Sequence, residues 1–172
     1  MLDRRIFLLA TAVLIAPPAF AQAPSPDDPI AFLTAIYARA AKGKGDGGGT
    51  FVFDNKAAKA KYLSTSLVTL WAEADAHTPK GDVGPVDFDP VTNSQEPDVK
   101  TFKVAPEKIE ADRATVTVSF TSRHVKSRDQ KDSLIRYDLV REASGWKIDD
   151  IKGTTEGESW SIRSMLTESL KS

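Results

Sequence analysis

The spacing of apolar residues changes near position 99, and this change constrains the fold more than any other feature of the chain. After Val99, apolar and polar residues alternate, most clearly over residues 116–120 and 135–139. Alternation with a period of two predicts β-strands that are buried on one face. Two further alternating segments, around residues 102–104 and 146–148, raise the number of predicted strands to four. Such strands form an antiparallel sheet with one wet and one dry face.

Before position 99 the apolar spacing is helical. Asp28 and Pro29 are typical of a helix start, and apolar residues then recur at intervals of three and four. A second helix is predicted from about Lys56 to Ala76, after a cap at Asp54-Asn55. A short C-terminal helix is predicted from the apolar residues Trp160, Ile162, Met165, Leu166 and Leu170. The predicted fold is therefore α+β: two N-terminal helices packed in a curved four-stranded antiparallel sheet, followed by a short helix.

The N-terminus indicates export. Arg4 and Arg5 precede an apolar run over residues 6–15, and Ala19-Phe20-Ala21 fits a signal-peptidase site, so residues 1–21 are predicted to be a cleaved signal peptide. The run is too short for a spanning helix, and no membrane anchor is expected after cleavage. Because residues 3–8 also fit the twin-arginine pattern, both that route and the Sec route stay open. The expected location is the periplasm or the medium.

Composition narrows the function classes. Residues 22–28 are proline-rich and predicted to be a disordered leader, which leaves 29–172 as one domain. The chain has no cysteine, which excludes disulfides and thiol catalysis. Its 23 basic and 24 acidic residues are balanced, so no nucleic-acid partner is expected.

Three segments carry a resemblance to a known family: Asp87-Phe88-Asp89-Pro90-Val91, residues 114–120 and residues 145–151. They resemble a family of exported bacterial proteins catalogued as domain of unknown function 3828. That family is similar in turn to the nuclear-transport-factor-2-like cone fold of ketosteroid isomerases and scytalone dehydratases. The resemblance covers roughly residues 28–170. It implies a conical sheet with a ligand-accessible mouth, without an established activity, and by analogy a possible homodimer.

The segment 80–97 has no periodicity and contains three prolines. Long loops without secondary structure inside a compact domain are often functional, so this loop is predicted to contribute to binding. Aromatic residues elsewhere are candidates for lining a cavity between helices and sheet. The predicted ligand- or partner-binding residues are Tyr37, Trp71, Asp87, Phe88, Asp89, Gln95 and Trp160.

Catalytic residues are harder to identify. A proton-transfer enzyme of the isomerase type needs a carboxylate in an apolar cavity, and Asp75 and Asp150 are weak candidates. If Trp146 faces the core, strict alternation directs Asp150 to the same face; a purely structural role for Asp150 stays open. The sequence lacks the motifs of serine hydrolases, zinc proteases and dinucleotide-binding enzymes. With two histidines far apart, no metal site and no cofactor are expected.

The leading hypothesis is a non-enzymatic binding module that uses the cone mouth and the 80–97 loop. Its ligand would be a small molecule or an envelope protein. The alternatives are a small lyase or isomerase acting on an apolar molecule, and a protein-facing inhibitor or immunity-type protein. A cone filled by its own side chains would argue against both pocket-based functions and leave the protein-facing one.

Overall fold

The computed structural model describes residues 27–43, 51–124 and 131–171. The predicted signal peptide and residues 22–26 of the predicted leader lie outside these ranges. The helices are α1 (Pro29–Ala40), α2 (Lys56–Tyr62), α3 (Thr65–His77) and α4 (Ile162–Ser169). The strands are β1 (Thr101–Ile109), β2 (Arg113–Thr121), β3 (Leu134–Glu142), β4 (Gly145–Thr155) and β5 (Glu158–Ser161). They form one antiparallel sheet in the order β1-β2-β3-β4-β5, which confirms the predicted α+β class.

Helix α1 forms where the sequence predicts it. The Asp28 carboxylate accepts a hydrogen bond from the Ile30 N–H (2.9 Å), and Pro29 occupies the first turn. The side chains of Leu33, Ile36 and Tyr37 are fully buried against the sheet. No helix in the described part of the chain is long and apolar enough to cross a membrane.

The second predicted helix is two helices, α2 and α3. The backbones of Leu63 and Ser64 are extended between them. Ser64 caps α3 by accepting a hydrogen bond from the Leu67 N–H (3.0 Å), and its own N–H donates to the Ile148 carbonyl (2.8 Å). Leu63 and Ser64 therefore attach the chain to the part of β4 that β5 leaves unpaired. The apolar residues on both sides of them have helical spacing, so nothing in the sequence indicated this break.

The sheet has one more strand than predicted. After β4, Glu156 and Gly157 form a tight turn with φ of 53° and 90°, which matches a two-residue hairpin. The chain then returns as β5, so Trp160 lies in a strand and not in the C-terminal helix. Four residues of strand are too few to give a clear alternating pattern, which explains the error.

A β-bulge in β4 corrects the predicted orientation of Asp150. Tyr137 pairs with Ile151 and Asp138 with Asp150, but Leu139 pairs with Ile148, so Asp149 is the extra residue. Because one extra residue reverses the alternation, Ile148 and Ile151 both face the core. Asp150 shares the outer face with Asp138, and the inward orientation predicted from strict alternation is wrong.

Candidate functional site

Side chains from α1 and the inner face of the sheet fill the interior. Tyr37 packs with its ring centroid 5.6 Å from that of Phe102 and 6.2 Å from that of Tyr137. The surrounding side chains from the sheet are also fully buried: Val116, Val118, Ile135, Ile148 and Ile151. Close-packed interiors of this kind leave few voids larger than a water molecule. The part of the cone around Tyr37 is therefore core.

Residues 89–94, which we call the plug, close the mouth of the cone. Val91 and Thr92 are fully buried although they belong to a loop. The Tyr37 hydroxyl donates to the Val91 carbonyl (2.7 Å) and lies 3.0 Å from the Tyr137 hydroxyl. With the Tyr37 proton used on Val91, Tyr137 donates to Tyr37. The tyrosine pair thus provides the hydrogen bond that the buried Val91 carbonyl of the plug requires.

Asp89 organises the plug from within. Its carboxylate accepts hydrogen bonds from the Thr92 hydroxyl (2.8 Å) and the Val91 N–H (3.4 Å), and the backbone bridge from Asp89 to Ser94 closes the turn. The side chain is fully buried, and this burial raises the pKa of Asp89 to about 6. Burial also raises the pKa of Tyr37 and of Tyr137.

Asn93 attaches the plug to β4 and to the turn before β3. Its amide nitrogen donates to the carbonyls of Asp132 (3.1 Å) and Thr154 (2.9 Å), and its amide oxygen accepts from the Thr155 hydroxyl (3.0 Å). Its φ of 48° lies in the left-handed region, which Asn adopts more readily than most residues. The backbone geometry and the three contacts together explain why Asn stands here.

The predicted binding residues fall into three places. Tyr37 and Asp89 are buried around the plug. Phe88 packs edge-on against Trp160, with 5.1 Å between ring centroids, and Gln95 donates to the exposed Asp87 carboxylate at 3.5 Å. Trp71, on α3, is buried under the Lys59 ammonium, 4.1 Å from its ring. The structure therefore brings Phe88 and Trp160 together and places Trp71 in a different environment.

The two candidate catalytic carboxylates have structural partners. Asp150 accepts hydrogen bonds from the Ser161 hydroxyl (2.8 Å), the Arg163 N–H (3.0 Å) and the Ile151 N–H (2.9 Å), so it attaches α4 to the sheet. Asp75 is half exposed on α3 and forms an ion pair with Lys59 (3.3 Å). Neither contact set resembles an acid held in an apolar cavity.

A groove on the outer face of the sheet was missed by sequence reasoning. This outer groove crosses from β1 to α4, has a volume of about 750 Å³, and contains apolar and hydroxyl side chains between charged ones. Its apolar members are Leu134, which is 46% exposed, Met165 and Trp160. In the sequence, only Leu134 indicated this groove, because it is an apolar residue at an outward-facing position in the alternating pattern of β3.

The charged side chains around the outer groove are paired with one another. Arg136 bonds Glu107 (2.5 Å), and Lys152 bonds Asp138 and approaches Asp150 (3.7 Å). Glu168 at the end of α4 bonds Lys171 (2.6 Å). Since these charges are compensated within the chain, the groove presents no uncompensated ionic site. Its other lining groups are the apolar side chains and the hydroxyls of Thr154, Ser159 and Ser164, together with those of Thr117 and Ser161, which also form hydrogen bonds within the chain.

Gly153 shapes one wall of the outer groove. The Trp160 ring lies so close to this residue that an added Cβ would be 2.4 Å from Trp160 Cζ2. Glycine therefore allows the ring to lie directly on the backbone of β4. Trp160 links the two surfaces described above, because it contacts Phe88 next to the plug and also lines the groove.

Comparison with known proteins does not place the chain in a family. No family model matches it, and no curated protein matches it. Among the solved structures, it is similar to a chain in the crystal structure of the type VI native effector-immunity complex Tae3-Tai3 from Ralstonia pickettii. The identity is 22%, the alignment covers 77% of this chain and 99% of that chain, and the TM-score is 0.48. Similarity at this level does not indicate a function, and the resemblance to domain of unknown function 3828 stays a prediction.

Within the described residues, no group of three or more His, Asp or Glu side chains is arranged to hold a metal ion. His124 instead lies 3.3 Å from Asp98, which also accepts hydrogen bonds from the Arg123 and His124 N–H groups (2.5 and 2.8 Å). These contacts, the N–H bonds first, lower the pKa of Asp98 against the opposing effect of desolvation. They attach the end of β2 to the segment preceding β1, a structural role.

Proposed function

We propose that the protein is a binding protein of the inhibitor or immunity type, which contacts a protein partner through the outer groove. One contrast carries the proposal: the mouth of the cone is closed by residues 89–94, whereas the outer groove exposes Leu134 beside Met165 and Trp160. With the plug seated, the interior around Tyr37 is filled by side chains of the described residues, which argues against a ligand site there. The expected export signal supports a location in the periplasm, where the partner would be an envelope or secreted protein.

The chemistry of the outer groove favours a protein surface over a charged ligand. Trp, Met and Arg are enriched at protein interfaces, and apolar centres with polar rims are their common arrangement. The groove has this arrangement, with Leu134, Met165 and Trp160 between the ion pairs of Arg136 and Lys152. Because those pairs compensate their own charges, a partner needs to supply an apolar side chain with hydrogen-bonding groups around it, and no strong net charge.

Site-specific photo-crosslinking tests the proposal. A photoreactive amino acid replaces Leu134 in one variant and Ile109 in the matched control. Ile109 is also an exposed strand residue (49% against 46%), but it pairs with Ala114, whose side chain faces the core, and so belongs to the other face of the sheet. The expected result, in cells that produce the exported protein, is a crosslinked protein of defined mass from position 134 and none from position 109.

Two outcomes would overturn the proposal. Equal crosslinking from both positions would mean that the outer face has no specific partner. A small molecule retained by the purified protein, together with no protein crosslink at position 134, would favour the ligand-binding function. The volume of the groove is within the range of small-molecule sites, so this second outcome is a real alternative.

A further inference from the structure

The plug places the buried carboxylate of Asp89 in the mouth of the cone. We propose that residues 89–94 form a proton-controlled latch, which is firmly seated when Asp89 is protonated and loosens when Asp89 is ionised. The inference concerns the mouth of the cone and is independent of any partner at the outer groove.

The carboxylate of Asp89 has neutral partners. Its side chain is fully buried and accepts hydrogen bonds from the Thr92 hydroxyl (2.8 Å) and from the backbone of Val91 (3.4 Å). Backbone N–H groups of Thr92 and Val52 also donate to it. Neutral donors stabilise a buried charge only in part, because removing a carboxylate from water costs more than a few neutral hydrogen bonds return.

Within residues 27–43, 51–124 and 131–171, no cation compensates this charge. The titratable groups that face Asp89 are Tyr37 from α1 and Tyr137 from β3, and both are acids. The segment before α2 contributes only the Val52 N–H. Among the residues that the structure describes, no Lys, Arg or His forms an ion pair with Asp89. An ionised Asp89 is therefore less stable in the seated plug than in water.

The direction of the pH dependence follows from burial. Burial raises the pKa of Asp89 from 3.8 to about 6, although the hydrogen bonds from Thr92, Val91 and Val52 act in the opposite direction. The seated plug consequently holds the proton more tightly than the open plug does. Seating is most favourable below about pH 4, weakens as the pH rises towards 6, and then changes little.

Opening would uncover specific groups. The contacts that seat the plug are the bond from Tyr37 to the Val91 carbonyl and the three bonds of Asn93. When the plug lifts, the hydroxyls of Tyr37 and Tyr137 become accessible at the mouth. The latch therefore controls whether the cone interior is closed or presents two hydroxyl groups to solvent.

Amide hydrogen exchange measures seating directly. The Thr92 and Ser94 N–H groups both donate to the Asp89 carbonyl, at 3.2 and 3.3 Å, in a turn that the bonds of Tyr37 and Asn93 hold against the interior, so loss of seating exposes this turn to exchange. After correction for intrinsic exchange rates, their protection is expected to fall about 20-fold between pH 4.5 and pH 7. In Asp89→Asn the protection should not vary with pH. In the matched control Asp87→Asn, which removes an exposed carboxylate of the same loop, the wild-type dependence should remain.

A second measurement titrates Asp89 directly, first in the wild-type protein. Titration of the Asp89 carboxyl carbon by NMR in the wild-type protein should give a midpoint near pH 6, and Thr92→Val, which removes a hydrogen bond to the ionised form, should move that midpoint upward. A midpoint at or below pH 4 would overturn the proposal. Protection of Thr92 and Ser94 that is independent of pH, or that changes equally in Asp89→Asn, would do the same.

Discussion

The connection between α3 and β1 has two halves of similar composition and opposite placement. Residues 80–87 and residues 88–94 both contain Asp, Val and Pro, yet Val83 is 75% exposed and Val91 is fully buried. Asp82 and Asp87 lie in solvent, whereas Asp89 is enclosed. The difference arises from tertiary partners: the second half forms hydrogen bonds with Tyr37, with β4 and with the turn before β3. Buried loop segments require such partners for their backbone groups.

The largest effect is expected at Asn93. Asn93→Ala removes the three hydrogen bonds described above and replaces Asn, which tolerates a φ of 48°, with a residue that rarely adopts the left-handed region, so the free energy of unfolding should fall by about 3 kcal/mol. Urea unfolding at pH 5 measures this. Asn93→Gly is the control, since it relieves the backbone strain without restoring the bonds, and it should recover about 1 kcal/mol. A loss below about 0.5 kcal/mol for Asn93→Ala would show that Asn93 does not attach the plug to β4 and the turn before β3.

A matched pair of valines compares the two halves directly. Val91→Ala deletes two fully buried methyl groups and should lower the free energy of unfolding by about 2 kcal/mol. Val83→Ala changes an exposed side chain in the first half and should stay within about 0.5 kcal/mol of wild type. Both are measured by urea unfolding at pH 5. Equal effects of the two substitutions would remove the distinction between the halves.

The smallest effect on stability is expected in the outer groove. Leu134→Ala truncates a side chain that is already 46% exposed, so the free energy of unfolding should change by less than about 0.5 kcal/mol. The same substitution should weaken association with the protein partner. The yield of crosslinked partner from a photoreactive residue at Ser164, which also lines the outer groove, measures this association. A large loss of stability would assign Leu134 to the core. Unchanged crosslinking would show that Leu134 is not part of the interface with the partner.

Local patterns predicted much of the fold. Alternation identified β2 and β3, and the sequence Asp28-Pro29 identified the start of α1, because these signals depend on neighbouring residues alone. The break at Leu63 and Ser64 could not be predicted, since it depends on pairing with Ile148, far along the chain. Nothing in the local pattern marks the bulge at Asp149 either, and this single residue reversed the predicted face of Asp150.

The candidate site was predicted less well than the fold. Phe88 and Trp160 were predicted as binding residues, and the structure places them in contact, but the position of Trp160 in the outer groove depends on β5. Asp87 and Asp89 of the 80–97 loop were both predicted as binding residues from the sequence. Only the structure separates Asp89, whose partners come from its own turn and from the buried segment around Val52, from Asp87. The groove residues Met165 and Arg136 come from α4 and β3, which no sequence spacing connects.

The central claim is that the mouth of the cone is closed and the working surface is outside, and a labelling experiment tests it most directly. Because the chain has no cysteine, Val91→Cys and Val83→Cys each introduce a single thiol in the same loop. Labelling at pH 5 with a dipyridyl disulfide should modify position 83 at the rate of a free thiol. Position 91 should react only as fast as the plug opens, far more slowly than position 83. Rapid modification of position 91 in the folded protein would contradict the account.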